Sequence, residues 1–243
     1  MNDFAEHQAV LELRRYTVVP GRRDELVTLF EREFVESQEN TGAHLFGQFR
    51  EPAEPGRFVW VRGFESMAAR LKALTAFYYG PVWKQHGPAA NDTMVDASDV
   101  VLLKPSGPGF PAPAAARPPA GEGRRPSSRV IVTVCHPTGP VAEFAEYFHR
   151  VASPLLTSAQ GHPLACFETE RAENTFPRLP VREDETVFVW FTFFATAGQL
   201  TAHERALAES AHWRDEVQPE LTARLKQPWQ RLVLEPTPRS HLR

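Results

Sequence analysis

Glu12, Arg14 and Tyr16 occupy alternate positions in VLELRRYTV, and Arg62 sits in FVWVRGF. Alternate residues of an extended chain share a face. One face of the first segment therefore presents a carboxylate, a guanidinium and a phenol in a row. Arg62, on a strand expected to neighbour it, adds a second guanidinium. Such a set could orient a ligand carbonyl or carboxylate, and Tyr16 could donate a proton to a developing oxyanion. The same residues could instead satisfy one another as a buried ion pair.

A second group lies in FYYGPVWKQH, with Tyr78, Trp83 and His86. Pro81 after Gly80 suits the first position of a new helix. Trp83, Lys84 and His86 then lie within one turn. His86 is the candidate general base, because an unperturbed imidazole titrates near neutrality. The expected catalytic set is Glu12, Arg14, Tyr16, Arg62 and His86. The residues expected to hold a ligand are His44, Phe58, Trp60, Tyr78, Trp83, Phe188 and Trp190. His136, His149, His162, His203 and His212 show no tight metal-ligand spacing, and no metal is expected. The chain has no GxGxxG, phosphate-binding loop or GxSxG, so no organic cofactor or hydrolase elbow is expected either.

The elements that must position these residues occur twice. Phe58-Val59-Trp60, Phe64 and Trp83 recur as Phe188-Val189-Trp190, Phe194 and Trp213, each 130 positions on. A period this long marks a duplicated domain, not a solenoid unit. In the first copy, Val10 to Val18 alternates as a strand. Leu26, Leu29, Phe30 and Phe34 give a helix over 24–38. Strands follow at 43–50 and 58–64, then a helix capped by Ser66, and a closing strand at 100–103. The order βαββαβ is a ferredoxin-like split unit. The second copy repeats it with strands near 130–135, 164–170, 186–194 and 230–234.

The expected domains are residues 9–105 and 129–236, with a tail at 237–243. Between them, 106–128 is rich in Pro, Gly and Ala and reads as a linker. A βαββαβ sheet carries its helices on one face only. Val59 and Val61 suit the helix-packed face. Phe58, Trp60 and their partners are then expected on the other, where the two sheets would close around a cavity. The second copy keeps the aromatics but not the charges. That asymmetry predicts one pocket, polar on the first-half side and apolar on the other.

The stretches LELRRYTVVPGRRDELVTLFE (11–31) and FVWVRGFESMAARLKALTAFYYGPVWKQH (58–86) resemble the NIPSNAP family. The resemblance implies a dimeric α/β barrel: an α+β fold of two tandem ferredoxin-like domains whose antiparallel sheets face each other within one chain. Related barrels include cofactor-free monooxygenases, polyketide cyclases, isomerases and haem enzymes. The expectation is a cofactor-independent small-molecule enzyme of isomerase, cyclase, dehydratase or monooxygenase type. Its substrate would be an aromatic or polyketide-like product of secondary metabolism. Non-catalytic ligand binding or protein interaction is the alternative, and a haem-binding barrel the third reading.

Composition narrows the partners. The 243 residues carry a net charge of −3, which offers no field for nucleic acid or an anionic membrane. No apolar run is long enough to span a bilayer, and the first residues lack the features of a secretory signal. Two cysteines are too few for a disulfide framework. A cytoplasmic protein that takes a small-molecule ligand and forms a homo-oligomer, a dimer or higher, is expected.

Overall fold

The computed structural model describes residues 5–113 and 115–243. Among the described residues, nine strands form one antiparallel sheet. They are β1 (Val10–Val18), β2 (His44–Arg50), β3 (Arg57–Phe64), β4 (Met94–Asp96), β5 (Val100–Pro105), β6 (Arg129–Cys135), β7 (Pro163–Thr169), β8 (Phe188–Phe194) and β9 (Gln230–Pro236). The order is β3-β2-β9-β6-β8-β7-β5-β1-β4, with β1 also paired to β3. That extra pairing closes eight strands into a barrel, and β4 pairs with the end of β1 at Thr17 and Val18. The two halves meet along two seams. β2 pairs with β9 through Phe49–Pro236 and Arg50–Glu235, and β5 pairs with β7 through Leu103–Thr169 and Lys104–Glu168. Full closure removes the edge strands that two separate sheets would expose.

Helices pack on the outside. In the first half α1 (Arg23–Leu29) runs through a π-turn, Phe30–Phe34, into α2 (Val35–Glu39), and α3 (Met67–Tyr78) and α4 (Pro81–Asn91) follow. In the second half α5 (Val141–Tyr147) runs through a π-turn, Phe148–Ala152, into α6 (Ser153–Ser158), before α7 (Ala197–Glu209) and α8 (Gln218–Ala223). Ser66 caps α3 by accepting from the Ala69 amide at 3.1 Å, and Thr196 caps α7 by accepting from Gln199 at 3.2 Å. No helix among the described residues is long and apolar enough to cross a membrane.

The barrel interior is aliphatic with a few phenylalanines. Leu11, Leu13, Val59, Val61, Val130, Val132, Val189, Phe167 and Phe191 form its core. The large aromatics face outward, under the helices: Tyr16, Phe58, Trp60 and Phe64 pack with Phe30, Phe34, Phe77 and Tyr78. This reverses the expected faces. The small aliphatics fill the space between the sheets, and the aromatic and charged set lies beneath the helix layer. A single pocket between the sheets is therefore replaced by one pocket beneath the helices of each half. An eight-stranded barrel is just wide enough for side chains to fill, and aliphatics with five phenylalanines fill this one.

Two segments expected to be peripheral are built in. Phe110, from the Pro-rich stretch 106–128, is buried in the barrel core and packs edge-on to Phe191 at 4.9 Å. Gln8 fixes it by donating to the Phe110 carbonyl and accepting from its amide. In the tail, Leu242 joins the same core, and Arg239 is buried and paired with Glu36.

Candidate functional site

Cross-strand register builds the first-half cluster. Glu12 lies opposite Arg62, Arg14 opposite Trp60, and Tyr16 opposite Phe58. Sequence reasoning missed Arg70, which α3 adds one turn after its cap. All four charged side chains are fully buried. Glu12 accepts from Arg14 at 2.7 Å, from Arg62 at 2.8 Å and from Arg70 at 2.6 Å. Arg14 Nε donates to the Tyr16 hydroxyl at 2.9 Å, and Arg62 Nη1 donates to Gln38 Oε1 at 2.6 Å. Arg70 Nη1 donates to Asn174 Oδ1 at 3.0 Å, a group supplied by the long loop between β7 and β8.

The charges do not balance. Burial alone would raise the Glu12 pKa, but the Arg62, Arg14 and Arg70 guanidiniums hold it far below the carboxylate range. Burial pushes the Tyr16 phenol up, so it remains a proton donor. The Arg70 guanidinium is pulled down by burial and by Arg62 and Arg14.

A cavity of about 20 Å³ adjoins this cluster. Tyr16, Gln38, Trp60, Tyr78 and Trp83 are among its walls. That is room for about one water molecule. Trp83 closes the cavity by packing on Tyr78 (4.6 Å) and Phe34 (5.3 Å). Phe176, from the same loop as Asn174, covers Tyr78 at 5.9 Å.

The second half holds the corresponding pocket, at about 310 Å³. Its register places Thr133 opposite Trp190 and Ile131 opposite Thr192. Trp190 thus occupies the place of Trp60, Thr133 that of Arg14, Ile131 that of Glu12 and Thr192 that of Arg62. Along the helices, Leu200, Leu207 and Ala208 stand 130 positions after Arg70, Phe77 and Tyr78. Ala208 where the first half has Tyr78 opens the space. Trp190, Trp213 and Trp229 wall the pocket with Phe194 and Leu207, and His203, Glu204, Arg214 and Arg231 supply its polar groups. His203 is buried, and its Nδ1 lies 2.8 Å from the Ala159 carbonyl. Arg231 pairs with Glu204 at 2.6 Å. None of these four polar residues was assigned to a site from the sequence: His203 was weighed only as a metal ligand, and the other three neither recur between the copies nor fall in a short motif.

The remaining expected site residues are dispersed. Phe58 is buried beside Phe30 at 5.3 Å, and Phe188 beside Phe148 at 5.0 Å, both as packing under their helices. Trp190 lines the larger pocket, whereas Trp60, Tyr78 and Trp83 line the smaller one. His86 stands on α4 with its Nε2 3.5 Å from Glu33 and lies outside both pocket walls. His44 also lies outside both. Its Nε2 is 3.1 Å from His241 Nδ1, and burial lowers its pKa to about 4 and that of His241 to about 3. Glu39, His44 and His241 have ligand atoms within 4.8 Å of one another. Arg117 occupies that cluster, donating to Glu39 at 2.7 Å and standing 3.2 Å from His241 Nδ1. A guanidinium therefore supplies the positive charge that a metal would bring.

The NIPSNAP family model matches residues 11–107. No curated protein matches the chain. Among solved structures, an anthrone oxidase-like protein is 12% identical, with 96% of this chain and 93% of that one covered and a TM-score of 0.57. A "putative monooxygenase" from Lactobacillus acidophilus is 13% identical, with coverage of 93% and 92% and a TM-score of 0.56. An uncharacterised NIPSNAP domain protein from Burkholderia xenovorans is 18% identical over 40% of this chain and 93% of its own, with a TM-score of 0.37. The first two share the fold across both halves. Residues 11–107 thus match the NIPSNAP domain, and a divergent second ferredoxin-like half completes the closed α/β barrel.

Proposed function

We propose that this protein binds a flat, largely apolar small molecule in the second-half pocket and transforms it by acid–base chemistry without an organic cofactor. The observation that carries this reading is the pocket of about 310 Å³ walled by Trp190, Trp213 and Trp229. It falls in the size range of small-ligand sites, with apolar walls and a few convergent polar groups. The tryptophans would hold the ring system, Thr133 and Thr192 would meet a ring oxygen, and His203 would move the proton. Shared fold with structures named for monooxygenase and anthrone oxidase-like proteins supports an aromatic or polyketide-like ligand, as analogy.

Three of the five tryptophans line this pocket, which gives a direct test. Anthrone, a tricyclic aromatic ketone, should quench their fluorescence saturably. Ala208→Tyr, which restores the first half's residue, should weaken that quenching roughly tenfold or more. Equal quenching in both proteins, or none in the parent, would remove the reading. Binding without turnover is the second reading. It is favoured by the first-half cavity of about 20 Å³, which leaves no room for a substrate beside Tyr16. Oxygen uptake and product analysis with the bound aromatic distinguish the two.

A further inference from the structure

The first-half cluster holds more positive charge than it neutralises. Arg14, Arg62 and Arg70 surround Glu12, and all four are fully buried. Glu12 is the one carboxylate among the described residues that pairs with any of the three. The neighbouring groups Gln38, Tyr16 and Asn174 are neutral. Two donors are left over: Arg14 Nη2 and Arg70 Nη2 are buried with no hydrogen-bond partner. Arg62 Nη2 lies 2.7 Å from Glu12 but outside hydrogen-bonding geometry. The Trp60 indole N–H is also buried without a partner.

Buried charge of one sign is costly unless it is paired, and an unpaired buried donor adds to that cost. Tyr16 cannot serve as the counterion, because burial favours its neutral form. The cavity of about 20 Å³ adjoins the cluster through the groups the arginines hold: Arg14 donates to Tyr16, Arg62 donates to Gln38, and both acceptors line the space. Arg62 also lies over the Trp60 ring, 4.9 Å from its centre. The second half replaces all four charged residues with Ile131, Thr133, Thr192 and Leu200, and its pocket carries no such excess.

We infer that the first half is a buried binding site for a compact monovalent anion, seated in the cavity lined by Tyr16, Gln38 and Trp60 and attracted by the excess charge of Arg14, Arg62 and Arg70 behind them. The space fits a halide or the carboxylate of a very small acid, and excludes a ring-sized ligand. Asn174 and Phe176, from the loop between β7 and β8, close the site from the other half.

The test uses the whole chain in gluconate, with chloride, bromide or formate exchanged in at constant ionic strength. The melting temperature should rise with the logarithm of the small anion's concentration, as for a ligand that binds only the folded state. Bromide crystals should show an anomalous peak in the cavity bounded by Tyr16, Gln38 and Trp60. A stronger response to formate than to the halides assigns the site to a carboxylate, and the reverse to a halide. Arg70→Leu and Arg14→Thr should weaken the response roughly tenfold. An unchanged melting temperature across all anions, or no bromide peak in the unaltered protein, would overturn the inference. The diffraction arm stands even where a variant fails to fold. Neither arm depends on the second-half pocket.

Discussion

Two pockets, built on the same frame, have taken opposite courses. Each lies between a β-sheet face and its helices, and each has a tryptophan from the third strand of its half at its floor and another from the following helices. The first is filled by Phe34, Phe77, Tyr78 and a four-residue ion cluster, and is left with about 20 Å³. The second has Leu207 and Ala208 in place of Phe77 and Tyr78, and its π-turn ends on Ala152 where the first half's ends on Phe34; it keeps about 310 Å³. Chemically expressive residues and space for a substrate have separated. The half that carries charge is closed, and the half with room is nearly neutral at its floor. A constellation of ionisable residues in a sequence therefore marks where charge is buried, which need not be where a ligand of any size fits.

The comparison breaks most directly at Glu12. Glu12→Gln leaves three buried guanidiniums without their anion and should cost about 3–5 kcal/mol in denaturant unfolding. Converting the whole cluster to the second half's residues (Glu12→Ile, Arg14→Thr, Arg62→Thr and Arg70→Leu together) should cost less than Glu12→Gln alone, because no charge is then stranded. If the quadruple variant is the less stable of the two, the cluster is a structural necessity and the contrast between halves loses its electrostatic meaning.

Asn174→Ala tests the contact between halves. It removes the acceptor of Arg70 Nη1 and should cost about 1.5–3 kcal/mol. A loss under about 0.5 kcal/mol would mean that water replaces the amide freely and that the loop does not seal the site.

The last test is the response to acid. His44 and His241, both in contact with first-half groups, have folded pKa values lowered to about 4 and about 3 from 6.5. Their unfolded forms bind protons first, so stability present above pH 6.5 is lost as the pH falls through about 4 and 3. Glu12 is also lowered, from 4.5, and begins to contribute to acid loss only below that value. Stability measured between pH 6.5 and 4.5 should therefore decline in the parent and flatten in the His44→Gln, His241→Gln double variant. An equal decline in both would assign that limb to other groups.

Much of the fold is legible in the amino-acid sequence. The 130-residue repeat gave the duplication, and the spacing of Leu26, Phe30 and Phe34 gave the first helix, although not the π-turn inside it. Ser66 was readable as a cap because its chemistry is local. β4 was not, since three residues carry no usable period. Phe110 was not readable as a core residue, because proline-rich composition describes the backbone and says nothing about one phenylalanine finding the barrel core. Of the charged cluster, Glu12, Arg14 and Arg62 were legible as alternating strand residues. Arg70 was hidden as an ordinary helix arginine, 58 positions from the carboxylate it binds.

Period-two alternation, acting through neighbouring residues, determined by itself which side chains share a face. It could not say which face turns inward, because in a closed barrel with an outer helix layer both faces are buried and both exclude water. Only the tertiary structure decided that. Barrel closure turned the aliphatic face and five phenylalanines inward, while side chains from distant helices decided which half was filled and which kept space for a ligand.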